Sequence, residues 1–144
     1  MAQMVFINLP VTDLPRAIAF YEAVGCSVNP DFTDDKAACL VVEADRSAFM
    51  LLTRDFFQSF LDVPVGDPSS STAAITAVML DSRADVDTRA TAGLDAGGSE
   101  PRPAVDLGFM YQRQLRDPDG NVLELGHMDP IPAGGVPHVE SSAG

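Results

Sequence analysis

Apolar positions fall in short runs along the first half of the chain, and their period changes from that of a strand to that of a helix and back. Met4 to Leu9 reads as a strand, which Pro10 and Asp13 close before a helical stretch begins. From Asp13, a residue type suited to an N-cap, Leu14, Ala17, Ile18, Tyr21 and Val24 recur at spacings of three and four, and Gly25 ends the run. That spacing predicts a helix lying on a sheet. Ala37 to Val42 and Ser47 to Thr53 are apolar runs bounded by charged segments, which predicts consecutive strands. Phe56, Phe57 and Phe60 then predict a short helical turn over the core edge.

Val63 to Ser71, with two Pro, one Gly and three consecutive Ser, reads as a linker, and the earlier order begins again after it. Ala73 to Leu80 predicts a strand, and Asp85 to Leu94 a helix with Val86, Ala90 and Leu94 on one face, stopped at Gly97-Gly98. Asp85 stands as far before Gly97 as Asp13 before Gly25, so the second half reads as a copy of the first displaced by about 70 residues. A hairpin closes it: Met110 to Arg116, the turn Asp117-Pro118-Asp119-Gly120-Asn121, and Val122 to Met128. The expected organisation is one domain over residues 1–130, made of units at about 4–62 and 72–130 with linker 63–71. Residues 131–144, which include His138, read as a flexible tail.

Length and charge narrow the function classes. The chain has 144 residues, 46% of them hydrophobic, which suits a single core. Nine Lys and Arg against 21 Asp and Glu give a formal net charge of −12, with one Lys and eight scattered Arg. This field opposes nucleic acid and anionic membrane surfaces, and neither is expected as a partner. Cys26 and Cys39 lack CxxC spacing and sit in apolar stretches, which predicts reduced thiols. The N-terminus carries only a short apolar patch, and the expected location is the cytoplasm.

Leu9-Pro10-Val11-Thr12-Asp13-Leu14, then Ala19-Phe20-Tyr21 with Gly25, and Asp117-Pro118-Asp119-Gly120-Asn121-Val122-Leu123-Glu124-Leu125, set in two strand-helix-strand-strand-strand units, are the residues of a resemblance. The chain resembles the vicinal oxygen chelate superfamily of glyoxalase I, extradiol dioxygenases and the fosfomycin- and bleomycin-resistance proteins. Gly108-Phe109-Met110-Tyr111 with Arg113 is similar to its lactoylglutathione-lyase-related branch. The resemblance implies an α+β fold in which tandem βαβββ units form a curled, mixed eight-stranded sheet around a cleft. It also implies a homodimer.

Metal-dependent members hold a divalent ion with His and Glu at four inward strand positions. The matching positions here are Phe6, Leu51, a position near Thr76, and Glu124. Phe and Leu cannot ligate, and Thr is a poor neutral ligand for zinc or nickel. No cofactor is therefore expected, since a divalent ion would find Glu124 alone. His127 lies three residues from Glu124 and so points to the opposite face of an extended strand.

A carboxylate facing an apolar cup calls for a partner, and the hairpin brings Arg113 near Leu125, within diagonal reach of Glu124. The expected ligand contacts are Phe6, Asn8, Leu51, Thr76, Tyr111 and Arg113, with Gln112 or Gln114 as further polar groups and Phe109 and Met110 as walls. Three functions compete, one of them an interaction or dimer-forming scaffold without a ligand. The leading one is a small-molecule-binding protein without the usual metal centre, with a cationic or aromatic ligand; the absence of Trp departs from the aromatic clefts of bleomycin-binding members. The alternative is a lyase or isomerase of glyoxalase I type with Glu124 as catalytic general base.

Overall fold

The computed structural model describes residues 3–130; the expected tail and His138 lie outside the described residues. The first unit comprises β1 (Val5–Val11), α1 (Leu14–Ala23), β2 (Ser27–Asn29), β3 (Ala37–Glu43) and β4 (Ser47–Thr53), and a short α2 (Arg54–Gln58) leads out of it. The second comprises β5 (Ile75–Met79), α3 (Arg83–Asp95), β6 (Val105–Asp106), β7 (Met110–Arg116) and β8 (Val122–Met128). Each unit makes a mixed four-stranded sheet, in the orders β1-β4-β3-β2 and β5-β8-β7-β6. The pairs β1–β4 and β5–β8 are parallel, and the others antiparallel. The α+β class and the repeated order match the expectation. The eight strands, however, divide into two sheets and do not run as one.

Local chemistry explains the element ends. The Asp13 carboxylate accepts from Arg16 N at 3.1 Å and caps α1. Ser82 does the same for α3, accepting from Asp85 N at 3.0 Å, so this helix starts two residues earlier than its apolar spacing suggests. Gly25 and Gly97 close the two helices at φ +107° and +100°, a region that glycine enters without steric cost. β1 continues through Pro10 to Val11, where the sequence predicted a break. It is an edge strand, and the missing proline N–H costs the sheet nothing on an open edge.

The helix-bearing faces of both sheets share one core. Ile7, Leu9, Phe49 and Leu51 of the first sheet and Leu115, Leu123 and Leu125 of the second pack with α1 and α3. Tyr21 joins the aromatic centre, its ring 5.0 Å from Phe20 in an edge-on pair and 4.8 Å from Phe49. Gly93 lets α3 close on this centre: a Cβ there would stand 2.8 Å from Val24 Cγ1 and 3.0 Å from Leu115 Cδ1.

The Asp117–Asn121 turn ties the second unit to the first. Asp117 Oδ1 accepts from the backbone N of Asp119, Gly120 and Asn121, each at 2.9 Å. Its Oδ2 accepts from Tyr21 Oη and Asn121 Nδ2, both at 2.9 Å. Asp119 Oδ1 accepts from Thr12 N at 2.9 Å and Thr12 Oγ1 at 2.7 Å, ahead of α1. Burial raises the Asp117 carboxyl above its ordinary value, against the pull of the donors from Asn121 and Tyr21, and burial with the neighbouring Asp117 raises the Tyr21 hydroxyl. The conspicuous turn motif thus serves as a latch between units.

Candidate functional site

β1 and β5 are the edge strands of their sheets, and between them lies a cleft of about 270 Å³. Asn8 and Pro10 of β1, Thr76 of β5, Phe57 of α2 and Asn121 of the latch line it. The segment between the units supplies the remaining wall, including Asp67 and the run Ser71 to Ala74. The strand edges offer backbone N–H and C=O groups that no sheet neighbour takes up. One of them, Pro10 O, accepts from Asn121 Nδ2 at 3.2 Å.

The polar side chains of the lining are one carboxylate, two amides and three hydroxyls, from Asp67, Asn8, Asn121, Ser71, Thr72 and Thr76. Asn121 spends its amide on Pro10 O and Asp117 Oδ2, which fixes the flip and leaves Oδ1 as an acceptor. Asp67 is held below its ordinary value by hydrogen bonds from Ser69, so it is ionised at neutral pH. The described lining contains no Lys, Arg or His. An apolar or cationic molecule therefore meets fewer penalties here than an anion.

Of the residues singled out from sequence, Asn8 and Thr76 reach this cleft. Phe6 does not line it; it alternates with Ile7 onto the helix-free face and is 50% exposed. Leu51 was expected at an inward ligand position, yet β1–β4 pairing sets it beside Leu9 and it is sealed in the core. Its neighbours Met50 and Leu52 are equally apolar, so alternation alone gave no means to choose the face.

Arg113 and Glu124 do not meet. The hairpin register is the predicted one, with Arg116 opposite Val122 and Arg113 opposite Leu125. Directly paired residues share a face, however, so Arg113 stands with Leu125 on the helix-bearing side and Glu124 with Gln114 on the other. Arg113 Nε donates to Glu100 Oε2 at 2.8 Å and Nη1 to Asp87 Oδ1 at 3.2 Å, and Tyr111 Oη donates to Asp87 Oδ1 at 2.6 Å. The hydrogen bonds from Arg113 hold Glu100 below its ordinary value, against burial and the neighbouring Asp87. Glu124 is half-buried beside Arg102, Gln112 and Gln114 around a gap of about 10 Å³, and it makes no hydrogen bond or ion pair among the described residues. His127 lies on the opposite face from Glu124, as predicted, with Nδ1 2.8 Å from Leu80 O.

The donor set does not fit a divalent metal ion. Phe6, Leu51 and Thr76 occupy the expected ligand positions beside Glu124, and the described residues contain no group of three or more His, Cys, Asp or Glu placed to hold one. Nor does any described helix have the length and apolarity to cross a membrane.

Two four-stranded sheets, each built from a strand-helix-strand-strand-strand unit, with helices on one face and a latched turn after the seventh strand, define a glyoxalase-type fold. The family model described as Glyoxalase/Bleomycin resistance protein/Dioxygenase superfamily matches residues 3–125, and the chain belongs to that superfamily. Solved structures agree on the fold. A glyoxalase-related enzyme from Fulvimarina pelagi is 21% identical, with 98% of this chain and 100% of that one covered and a TM-score of 0.74. A glyoxalase/bleomycin resistance protein/dioxygenase family enzyme from Burkholderia phytofirmans PsJN is 17% identical, with 88% and 99% covered and a TM-score of 0.71. TnmS3, an antibiotic binding protein from Streptomyces sp. CB03234, is 21% identical, with 90% and 98% covered and a TM-score of 0.60. No curated protein matches the chain in sequence.

Sequence reasoning missed the intervening segment and the residues that hold it. Its polar, turn-rich composition marked a linker, and nothing local signalled that Arg54 and Gln58 bind it.

Proposed function

We propose that this protein binds a small, largely apolar molecule, neutral or cationic, in the cleft between β1 and β5, without a metal centre. The cleft itself carries the reading: about 270 Å³ with two site residues expected from sequence, Asn8 and Thr76, a single ionised carboxylate and no cationic side chain in its described lining. The antibiotic-binding neighbour on the same fold supports a sequestering role. A test uses the neutral dye Nile red, whose emission rises and shifts in apolar surroundings. Wild type is expected to bind it, and Ala74→Trp, which fills the cleft from its wall, is expected to abolish binding. Near-stoichiometric zinc or nickel copurifying with the protein, with loss of a lyase activity on its removal, would overturn the reading.

The lyase alternative rests on Glu124, which is unpaired among the described residues and so available as a base. It lies outside the lining of the larger cleft, which makes binding the better-supported function. Turnover of the methylglyoxal–glutathione hemithioacetal that is lost in Glu124→Gln would reverse this order. The homodimer implied by the family would cover Phe6, Ile75 and Met79, which are 50%, 55% and 50% exposed. Light scattering that returns the 15.3 kDa of one chain would remove the dimer.

A further inference from the structure

The segment joining the two units is held by side chains that stand outside the cleft. Gln58 Nε2 donates to Val63 O at 2.9 Å, and its Oε1 accepts from Val65 N at 2.9 Å. Arg54 Nη1 donates to Gly66 O at 3.0 Å and Nη2 to Val65 O at 3.4 Å. Asp67 then closes a turn, its Oδ1 accepting from Ser69 N at 3.0 Å and Ser69 Oγ at 2.7 Å. The next peptide rests on the latch: a Cβ at Gly120 would stand 2.5 Å from Pro68 O and 2.9 Å from Ser69 N. Beyond that seat, Ser71 to Ala74 run along the cleft.

β1 and β5 are each fixed by a full parallel ladder to β4 and β8. The intervening strap has no such ladder and little apolar anchoring, since Val63 is 59% exposed and Ser69 to Ala74 are exposed throughout. Its place is therefore set by the four hydrogen bonds from α2 and by the seat on Gly120. Arg54 and Gln58 do not line the cleft, but the backbone they hold does.

We propose that Arg54 and Gln58 are positioning residues that clamp residues 63–74 as the specificity-determining wall of the cleft, so that α2 sets which sizes of molecule it accepts. The proposal rests on the reading of the cleft as the binding site. A fixed wall favours molecules that fill the gap and disfavours larger ones, because accommodation would break the clamp. Release of the clamp trades that selectivity for a wider, less ordered site.

The test titrates two neutral solvatochromic dyes, the smaller prodan and the larger Nile red, into wild type and the variants Arg54→Ala/Gln58→Ala and Arg54→Lys. Amide exchange over residues 63–74 is followed in parallel by mass spectrometry. In the double variant the ratio of Kd for prodan to Kd for Nile red is expected to rise about fivefold or more, and exchange in the strap about tenfold, with exchange in β4 and β8 unchanged. Arg54→Lys, which lacks the two-pronged guanidinium, is expected to fall between. General weakening of the fold would instead lower both affinities together and speed exchange in β4 and β8. Wild-type binding with an unaltered ratio in the double variant overturns the proposal, as does unaltered exchange in the strap. Failure of wild type to bind either dye counts against the cleft reading itself, and the exchange result still decides whether the clamp exists.

Discussion

Removal of one oxygen atom tests the latch between the two units. In Tyr21→Phe the ring keeps its place between Phe20 and Phe49, so the packing is retained and only the 2.9 Å hydrogen bond to Asp117 Oδ2 is lost. Tyr21 is 1% exposed and Asp117 3%, so water does not readily replace the donor. A hydrogen bond to a buried charged acceptor contributes about 1.5–3 kcal/mol, whereas an ordinary neutral one contributes about 1 kcal/mol. The expected loss is therefore about 2 kcal/mol, equivalent to a fall in Tm of about 6–10 °C for a chain of this size. Urea denaturation at pH 7, followed by far-UV circular dichroism, measures it, with the m-value unchanged if the unfolded state is not altered. In an Asp117→Asn background the same substitution should cost less by about 1 kcal/mol, because the two groups act through one contact. A loss below about 0.5 kcal/mol, or full additivity of the two substitutions, would show that the latch is not held by this bond.

Other outcomes follow from single sites. Gly93→Ala is expected to destabilise by about 1–3 kcal/mol despite alanine's better helix propensity, because its Cβ meets Val24 at 2.8 Å; a stabilised variant would refute the close approach of α3. Burial pushes the Cys26 thiol up to about 12 and raises Cys39 as well, so iodoacetamide at pH 8 should leave both unmodified until the chain is unfolded. The hydrogen bond from Arg83 holds Asp106 down to about 2, and a carboxyl titration by NMR should place its midpoint there, with Arg83→Ala returning it toward 3.8. Because the folded value lies below the unfolded one, the stabilisation from this pair is present above the ordinary aspartate range and is lost as the pH falls toward 2. A midpoint that Arg83→Ala leaves unmoved would remove that cause.

Where the sequence was informative, one local rule governed the outcome. The caps and glycines that bound α1, the runs that became β3, β4, β7 and β8, and the hairpin register all depend on neighbours a few residues away. Misreadings arose where a second rule decided the matter. β1 runs through Pro10 because its sheet position leaves that edge open, which is a tertiary fact. Leu51 was assigned to the cleft, and only its pairing with Leu9 shows that it faces the core, since Met50, Leu51 and Leu52 are apolar alike. Arg113 was placed correctly along the strand but on the wrong face for Glu124, an error of one step in a period of two.

The same distinction separates motif from site in this protein. The Asp-Pro-Asp-Gly-Asn run, its most recognisable stretch, spends the Asp117 carboxylate wholly within the protein, on three backbone N–H groups, Tyr21 and Asn121. Asp117 is thereby committed to structure, Asn121 keeps only its Oδ1 uncommitted at the cleft, and the strap sits over Gly120. That glycine serves two needs at once: its φ of +107° turns the hairpin, and its missing side chain admits the Pro68–Ser69 peptide. Local turn chemistry predicts the first need. The second arises from a segment some fifty residues away, so it becomes visible only once the two units are folded against each other. A motif can thus mark a family through its structural duties, while the less distinctive strap beside it walls the cleft.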